Sequence, residues 1–156
     1  MPLSLSIVIP IFNEEESILE LHNAIIEALQ KTLPHFEVIY VNDGSTDDSK
    51  KIISEICKNH ANAKSIHFVR NYGQTAALTA GIRHANADIL VTMDGDLQND
   101  PRDIPMMLEK LQNCDVVCGW RKNRQDNFLS RTLPSKIANG LISRLSNVPL
   151  HDYGCT

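Results

Sequence analysis

The segment VTMDGDLQNDP, residues 91–101, sets three carboxylates, Asp94, Asp96 and Asp100, directly behind the apolar run DILVTM (88–93). Aspartate disfavours strands, and like charges held close repel each other unless a cation lies between them. Side chains alternate along extended backbone, so Asp94 and Asp96 are expected to point the same way, with Gly95 between them admitting a ligand close to the backbone. Oxygen-only donors suit a hard divalent cation, Mg2+ or Mn2+, and magnesium in particular shares its shell with water and substrate phosphates. A solvated acidic turn, with Asp100 capping the next helix, explains the same residues about as well, since short motifs match often by chance.

A second candidate is VNDGSTDDS (41–49), which puts Asp43 at the end of another apolar run. This is good turn and helix-cap chemistry. Its functional reading makes Asp43 an acceptor for a nucleotide base, with Gly44 and Ser45 keeping the pocket open.

The elements that position these residues follow from apolar spacing. LSIVIPI (5–11) reads as a buried strand, and Asn13, with Glu16 three positions on, as the capping box of a helix carrying Ile18, Leu21, Ile25, Leu29 and Leu33 and ending at Pro34. FEVIYV (36–41) is a strand and Ile52, Ile53 and Ile56 mark a helix; SIHFV (65–69), QTAALTAGIRHA (74–85), DILVTM (88–93), IPMMLEKLQ (104–112) and DVVCGW (115–120) continue the alternation. Strands alternating with helices over short connections predict an α/β fold, a mostly parallel sheet flanked by helices on both faces, with its active edge at the carboxyl ends of the strands. Asn13, Glu14, Asp43, Arg70 and Asp94 all fall on that edge.

Composition agrees. The 156 residues are 42% hydrophobic and 22% charged, enough for one domain with a real core, and a net charge of −4 with pI near 5.8 gives no basic field for nucleic acid. Acids crowd 14–16, 43–48 and 94–103, whereas 121–144 carries Arg121, Lys122, Arg124, Arg131, Lys136 and Arg144 against Asp126 alone. Cys57, Cys114, Cys118 and Cys155 are too scattered for a disulfide framework, the middle pair being read as part of an apolar strand rather than a zinc knuckle, and a reducing environment fits them. No apolar run approaches the roughly 20 residues that cross a bilayer, and MPLSLSIVIP lacks the features of a signal peptide.

Seven ordered segments, IVIPIFNEEESI, VNDGSTDDS, RNYGQTAALTAGI, TMDGDLQNDP, GWRKNRQD, RTLPSKIANGLISRL and HDYGCT, resemble the family 2 glycosyltransferases, and among them the polyprenyl-phosphate glycosyltransferases. The resemblance covers essentially the whole chain. It implies a GT-A (Rossmann-like) fold, a nucleotide-diphosphate sugar donor, Mg2+ or Mn2+, and inversion at the anomeric carbon. It sets Pro10, Phe12, Asn13 and Glu14 around the nucleoside and Asp43 at the base, with Gly44 and Ser45 beside it. Asp94 would face the ribose and metal, Asp96 would ligate the metal, Gln98 would face sugar or acceptor, and Arg70 would approach the donor or cap a helix. Phe12 serves equally well as a core residue closing the first strand.

A polyprenyl phosphate acceptor is already anionic, so positioning matters more than a strong base, and guanidinium groups grip phosphate in bidentate fashion. Arg121 and Arg131 are the favoured clamps, helped by Lys136, and Asp152 matches the position of a base or acceptor-orienting acid. Leu133, Ile137, Leu141, Ile142 and Leu145 make 130–146 amphipathic, with a core-facing body and an end suited to a membrane surface. Relatives continue beyond the position of Thr156 into a basic stretch and, in many members, membrane-spanning helices. The chain is therefore expected to be a single catalytic domain, residues 1–156, lacking a membrane-associated portion, in the cytoplasm or on the cytoplasmic face of a membrane, with homo-oligomerisation open. The segment VNDGSTD resembles the UDP-sugar members of the family more than the GDP-mannose ones, which implies a UDP-sugar donor, with GDP-mannose next.

Other classes fit less well. A haloacid-dehalogenase-like phosphatase needs its Asp-x-Asp on the first strand rather than the fourth, and a receiver domain needs an acceptor aspartate where Arg70 stands. A non-catalytic nucleotide-sugar-binding or interaction module, or a family 2 transferase acting on a saccharide acceptor, remain the alternatives.

Overall fold

The structure, a computed structural model, describes residues 4–33, 35–112 and 114–119. Strand β1 (Leu5–Ile11) leads to helix α1 (Ile18–Leu29), β2 (Phe36–Asn42), α2 (Ser49–Asn59), β3 (Ala63–His67), α3 (Gln74–His84) and β4 (Ile89–Thr92). A single 3-10 turn (Pro101–Asp103) then opens α4 (Ile104–Leu111). The four strands form one parallel sheet in the order β3-β2-β1-β4.

β1 lies inside this sheet, and every residue of it except Pro10 is buried. That is why its sequence is continuously apolar: a parallel strand covered on both faces has no solvent side to make polar. Val8 of β1 and Ile39 and Val41 of β2 face α3, packing on Ala77. A Cβ at Gly81 would overlap Val8 Cγ1 and come within 3.1 Å of Val41 Cγ2, so α3 is seated against the sheet through its own small residues. Alternation sends Leu5, Ile7 and Ile9 to the opposite face. There α1 buries Ile18, Leu21, His22, Ile25 and Leu29, and His22 Nδ1 lies 2.9 Å from the Tyr40 hydroxyl of β2. Each fully buried Ile or Leu in these layers contributes about 1.5–3 kcal/mol relative to exposure.

The register of β4 creates the site. β4 pairs with β1 only from Leu5 to Val8, whereas β2 stays paired as far as Ile11. Val8 O still accepts a hydrogen bond from Met93 N (3.2 Å), but Pro10, two residues on and facing the same side, has no N–H to offer. The ladder stops, and the chain beyond it turns while staying against the end of β1: a Cβ at Gly95 would come within 2.6 Å of Ile11 Cδ1 and 3.5 Å of Pro10 O.

Three expected boundaries shift. Asn13 does not cap α1; Ser17 is the N-cap residue, and Asn13 takes a left-handed φ of 57°. α1 ends at Leu29, and Pro34 lies outside the described residues. β3 runs 63–67 rather than 65–69, and Val69 is 91% exposed. The expected strand 115–120 is not formed within the described residues: 115–119 is irregular, and Cys114 and Cys118 are exposed rather than on a strand. Apolarity marks a segment that can pair, but the partner decides whether it does.

The chain divides into two compact units between Met106 and Met107. The first holds the sheet and everything described below. The described part of the second comprises the remainder of α4 and the irregular stretch. No helix among the described residues is long and apolar enough to cross a membrane.

Candidate active site

Beyond the ends of β1, β2 and β4, a cavity of about 380 Å³ opens at the carboxyl edge of the sheet. Pro10, Ile11, Phe12 and Glu14 line it from the end of β1 and Asp43 from the end of β2. Asn71, Gly73 and Gln74 contribute from the start of α3, and Asp94, Gly95 and Asp96 follow β4.

The loops after β1 and β2 are stitched together by side chains accepting backbone N–H groups. Asn13 Oδ1 accepts from Thr46 N (2.9 Å), Ser45 Oγ from Asn13 N (3.0 Å) and Ser49 Oγ from Glu14 N (3.0 Å). Asp47 accepts from Glu15 N (3.1 Å), and Glu15 accepts in return from Asp48 N (2.7 Å). Much of the acidity at 14–16 and 43–48 is thus bound up in holding loops. Asp47 shows the effect: burial opposes its ionisation, but the hydrogen bonds from Ser49 and Glu15 outweigh this and hold its pKa below the usual carboxylate value.

Asp43 is 3% exposed, and its two oxygens accept from Tyr72 N (2.7 Å) and Gly73 N (2.9 Å). It therefore fixes the loop that precedes α3 while still bordering the cavity. Two backbone donors do not exhaust a carboxylate, which has about four acceptor positions.

Asp94 and Asp96 both reach the cavity, though not by strand alternation as their spacing suggests. β4 ends at Thr92, and a turn carries Leu97 at a left-handed φ of 62°. Asp96 Oδ1 accepts from Gln98 N (3.1 Å), and Asp94 Oδ1 accepts from the Gln74 side-chain amide (2.8 Å). Asp100 is occupied elsewhere: it caps the 3-10 turn through Arg102 N and grips the Arg102 guanidinium (2.7–3.0 Å). That hydrogen-bonded pairing with Arg102 is the chief reason its pKa falls below the usual value.

Of the residues marked in the sequence, Pro10, Phe12, Glu14, Asp43, Asp94 and Asp96 meet at this cavity. Phe12 is 45% exposed, so it does not serve as a core residue. Gly44 and Ser45 do not line the cavity or keep it open: they pin loops, Gly44 against the Arg70 backbone and Ser45 against Asn13 and Asn42. Arg70 neither lines the cavity nor caps a helix; its guanidinium lies 4.9 Å over the Tyr72 ring. Gln98 is exposed and outside the lining. Arg121, Arg131, Lys136 and Asp152 lie outside the described residues. Asn71, Gly73 and Gln74 escaped the sequence reading.

The donor set suits a hard divalent cation. Four carboxylates, Glu14, Asp43, Asp94 and Asp96, border one cavity, and among the described residues no group of three or more His, Cys, Asp or Glu is placed to hold a metal ion unaided. A cation completing its shell with phosphate and water needs no more from the protein.

The profile of Glycosyl transferase family 2 matches residues 6–155. The chain is 44% identical over 160 residues to a dodecaprenyl-phosphate galacturonate synthase of Rhizobium johnstonii, covering 99% of this chain and 46% of the relative. It is 41% identical over 156 residues to an undecaprenyl-phosphate 4-deoxy-4-formamido-L-arabinose transferase of Sodalis glossinidius, covering 96% and 46%. The chain thus spans about half the length of the curated relatives it matches. The mannosyltransferase PcManGT of Pyrobaculum calidifontis, solved with GDP-Man and Mn2+, superposes with a TM-score of 0.63 at 22% identity, covering 76% of this chain and 34% of that one. The architecture is that of the GT-A glycosyltransferases.

Proposed function

The chain belongs to glycosyl transferase family 2, and on that premise we propose that it moves a sugar from a nucleotide-diphosphate donor, UDP-linked in preference to GDP-linked, to a polyprenyl phosphate, with inversion. The observation that carries this reading is the cavity where Asp94 and Asp96 face the end of β1 beside Asp43.

In this reading Phe12, Glu14 and Asp43 receive the nucleoside, Asp94 faces the ribose and metal side, and Asp94 and Asp96 would hold a Mg2+ or Mn2+ ion. An acceptor phosphate oxygen bonds to the anomeric carbon from the face opposite the nucleotide. The bond from that carbon to the diphosphate oxygen breaks, and the nucleoside diphosphate leaves with the electron pair. A bound divalent cation would meet the growing charge electrostatically. The acceptor oxygen is anionic beforehand, so no residue need remove a proton. Arg121 and Arg131 hold the acceptor phosphate, and Asp152 orients it. The names of the relatives, a dodecaprenyl-phosphate and an undecaprenyl-phosphate enzyme, support the lipid phosphate as acceptor, and an acceptor with a prenyl tail would be met at a membrane surface.

The test is transfer of labelled sugar from UDP- and GDP-sugars to a short polyprenyl phosphate with Mg2+ or Mn2+. We expect a sugar–phospholipid product, and a loss of about 100-fold or more in kcat/KM for Asp96→Ala at unchanged melting temperature. Transfer to saccharide acceptors alone, or a wild-type rate in Asp96→Ala, would contradict the reading.

A further inference from the structure

Asp94 is half-buried at the cavity, and its Oδ1 is held by Nε2 of Gln74, the first residue of α3, at 2.8 Å. The start of α3 is held from the other side, where Asp43 accepts the N–H groups of Tyr72 and Gly73. Because β1 lies between β2 and β4 in the sheet, the connection from Asp43 through 72–73 and Gln74 to Asp94 passes across the end of β1. It ties the carboxylate at the end of β2 to the one at the end of β4 and forms one wall of the cavity.

Building on the proposed donor site, we infer that Gln74 is a positioning residue, which orients the Asp94 carboxylate toward the divalent cation and couples the metal side of the pocket to the nucleoside side. An aspartate carboxylate turns easily about its last torsion, so fixing one oxygen sets the direction of the other. A carboxamide does this without bringing a positive charge to compete with the cation, as Lys or Arg would. Partners behind a ligating carboxylate typically govern metal affinity by 10- to 100-fold. Gln74 is exposed at the first position of its helix, where truncation leaves the core untouched.

The test measures Mn2+ affinity calorimetrically with saturating UDP or GDP, whichever binds, and nucleotide affinity in EDTA, for Gln74→Ala and the near-isosteric Gln74→Met. Both variants should weaken Mn2+ binding about tenfold. Melting temperature and metal-free nucleotide binding should stay at wild-type values. Mn2+ affinity within twofold of wild type in either variant, while Asp96→Ala abolishes it, would overturn this inference and leave the donor site standing. A fall in melting temperature matching the loss of Mn2+ affinity would also overturn it, because the role would then be structural. Unchanged Mn2+ binding in Asp96→Ala would remove the donor-site reading, and this inference with it.

Discussion

His22 is fully buried on α1, with Nδ1 against the Tyr40 hydroxyl of β2 and its ring edge-on to His60 at 4.4 Å. Burial, and then repulsion from His60, push its pKa from 6.5 down to about 4. Tyr40 is displaced upward, by burial first and Cys57 second, so its hydroxyl stays neutral throughout the physiological range. The unfolded chain takes up a proton near pH 6.5 that folded His22 refuses until about pH 4. Stability from this group is therefore present in full above pH 6.5 and is lost as pH falls through that window, at up to about 1.4 kcal/mol per pH unit. Urea unfolding at pH 7 and pH 5 should show a larger loss for wild type than for His22→Leu; equal losses would rule out His22 as the source.

At the scale of elements, the site is made of loops that fasten one another. Gly44 has a φ of +70°, and a Cβ there would come within 2.6 Å of Arg70 Cα and Asn71 N. Gly73 has a φ of +93° but nothing within 4 Å of its would-be Cβ. Gly44→Ala should therefore lose stability by more than the roughly 1–3 kcal/mol of backbone strain expected at Gly73→Ala, since backbone atoms cannot yield as a side-chain tip does. Thermal melts of the two variants check the order, and equal shifts would contradict the packing described here. The same distinction governs what could be read beforehand. Burial on both faces writes a continuous apolar run, so β1 is legible to the residue. β3 slips by two because SIHFV is apolar through Val69 while the ladder with β2 closes at Asn42–His67. Asn13 looks like a helix cap in isolation, but Thr46, 33 residues on, claims its side chain. Gln74 was missed for the same reason: its importance lies in reaching Asp94, and no local pattern records that contact.

For the molecule as a whole, a single covalent fact shapes the site. Pro10 cannot extend the ladder on the β4 side, β4 ends at Thr92, and the turn beyond it brings its carboxylates together with those of separate loops at the carboxyl edge of a parallel sheet. Those carboxylates invite a cation and a diphosphate. That acidic rim could be foreseen from Asp43, Asp94 and Asp96, whereas the turn that aims Asp96 could not, since Leu97 gives no sign of its left-handed backbone. The deciding measurement is calorimetric titration of UDP and GDP into the folded chain, with Mn2+ and with EDTA. We expect one nucleotide to bind, UDP before GDP, at least tenfold more tightly with the metal present, a difference of about 1.4 kcal/mol. Absence of binding by either nucleotide, or binding indifferent to Mn2+, would contradict a donor site built on Asp94 and Asp96.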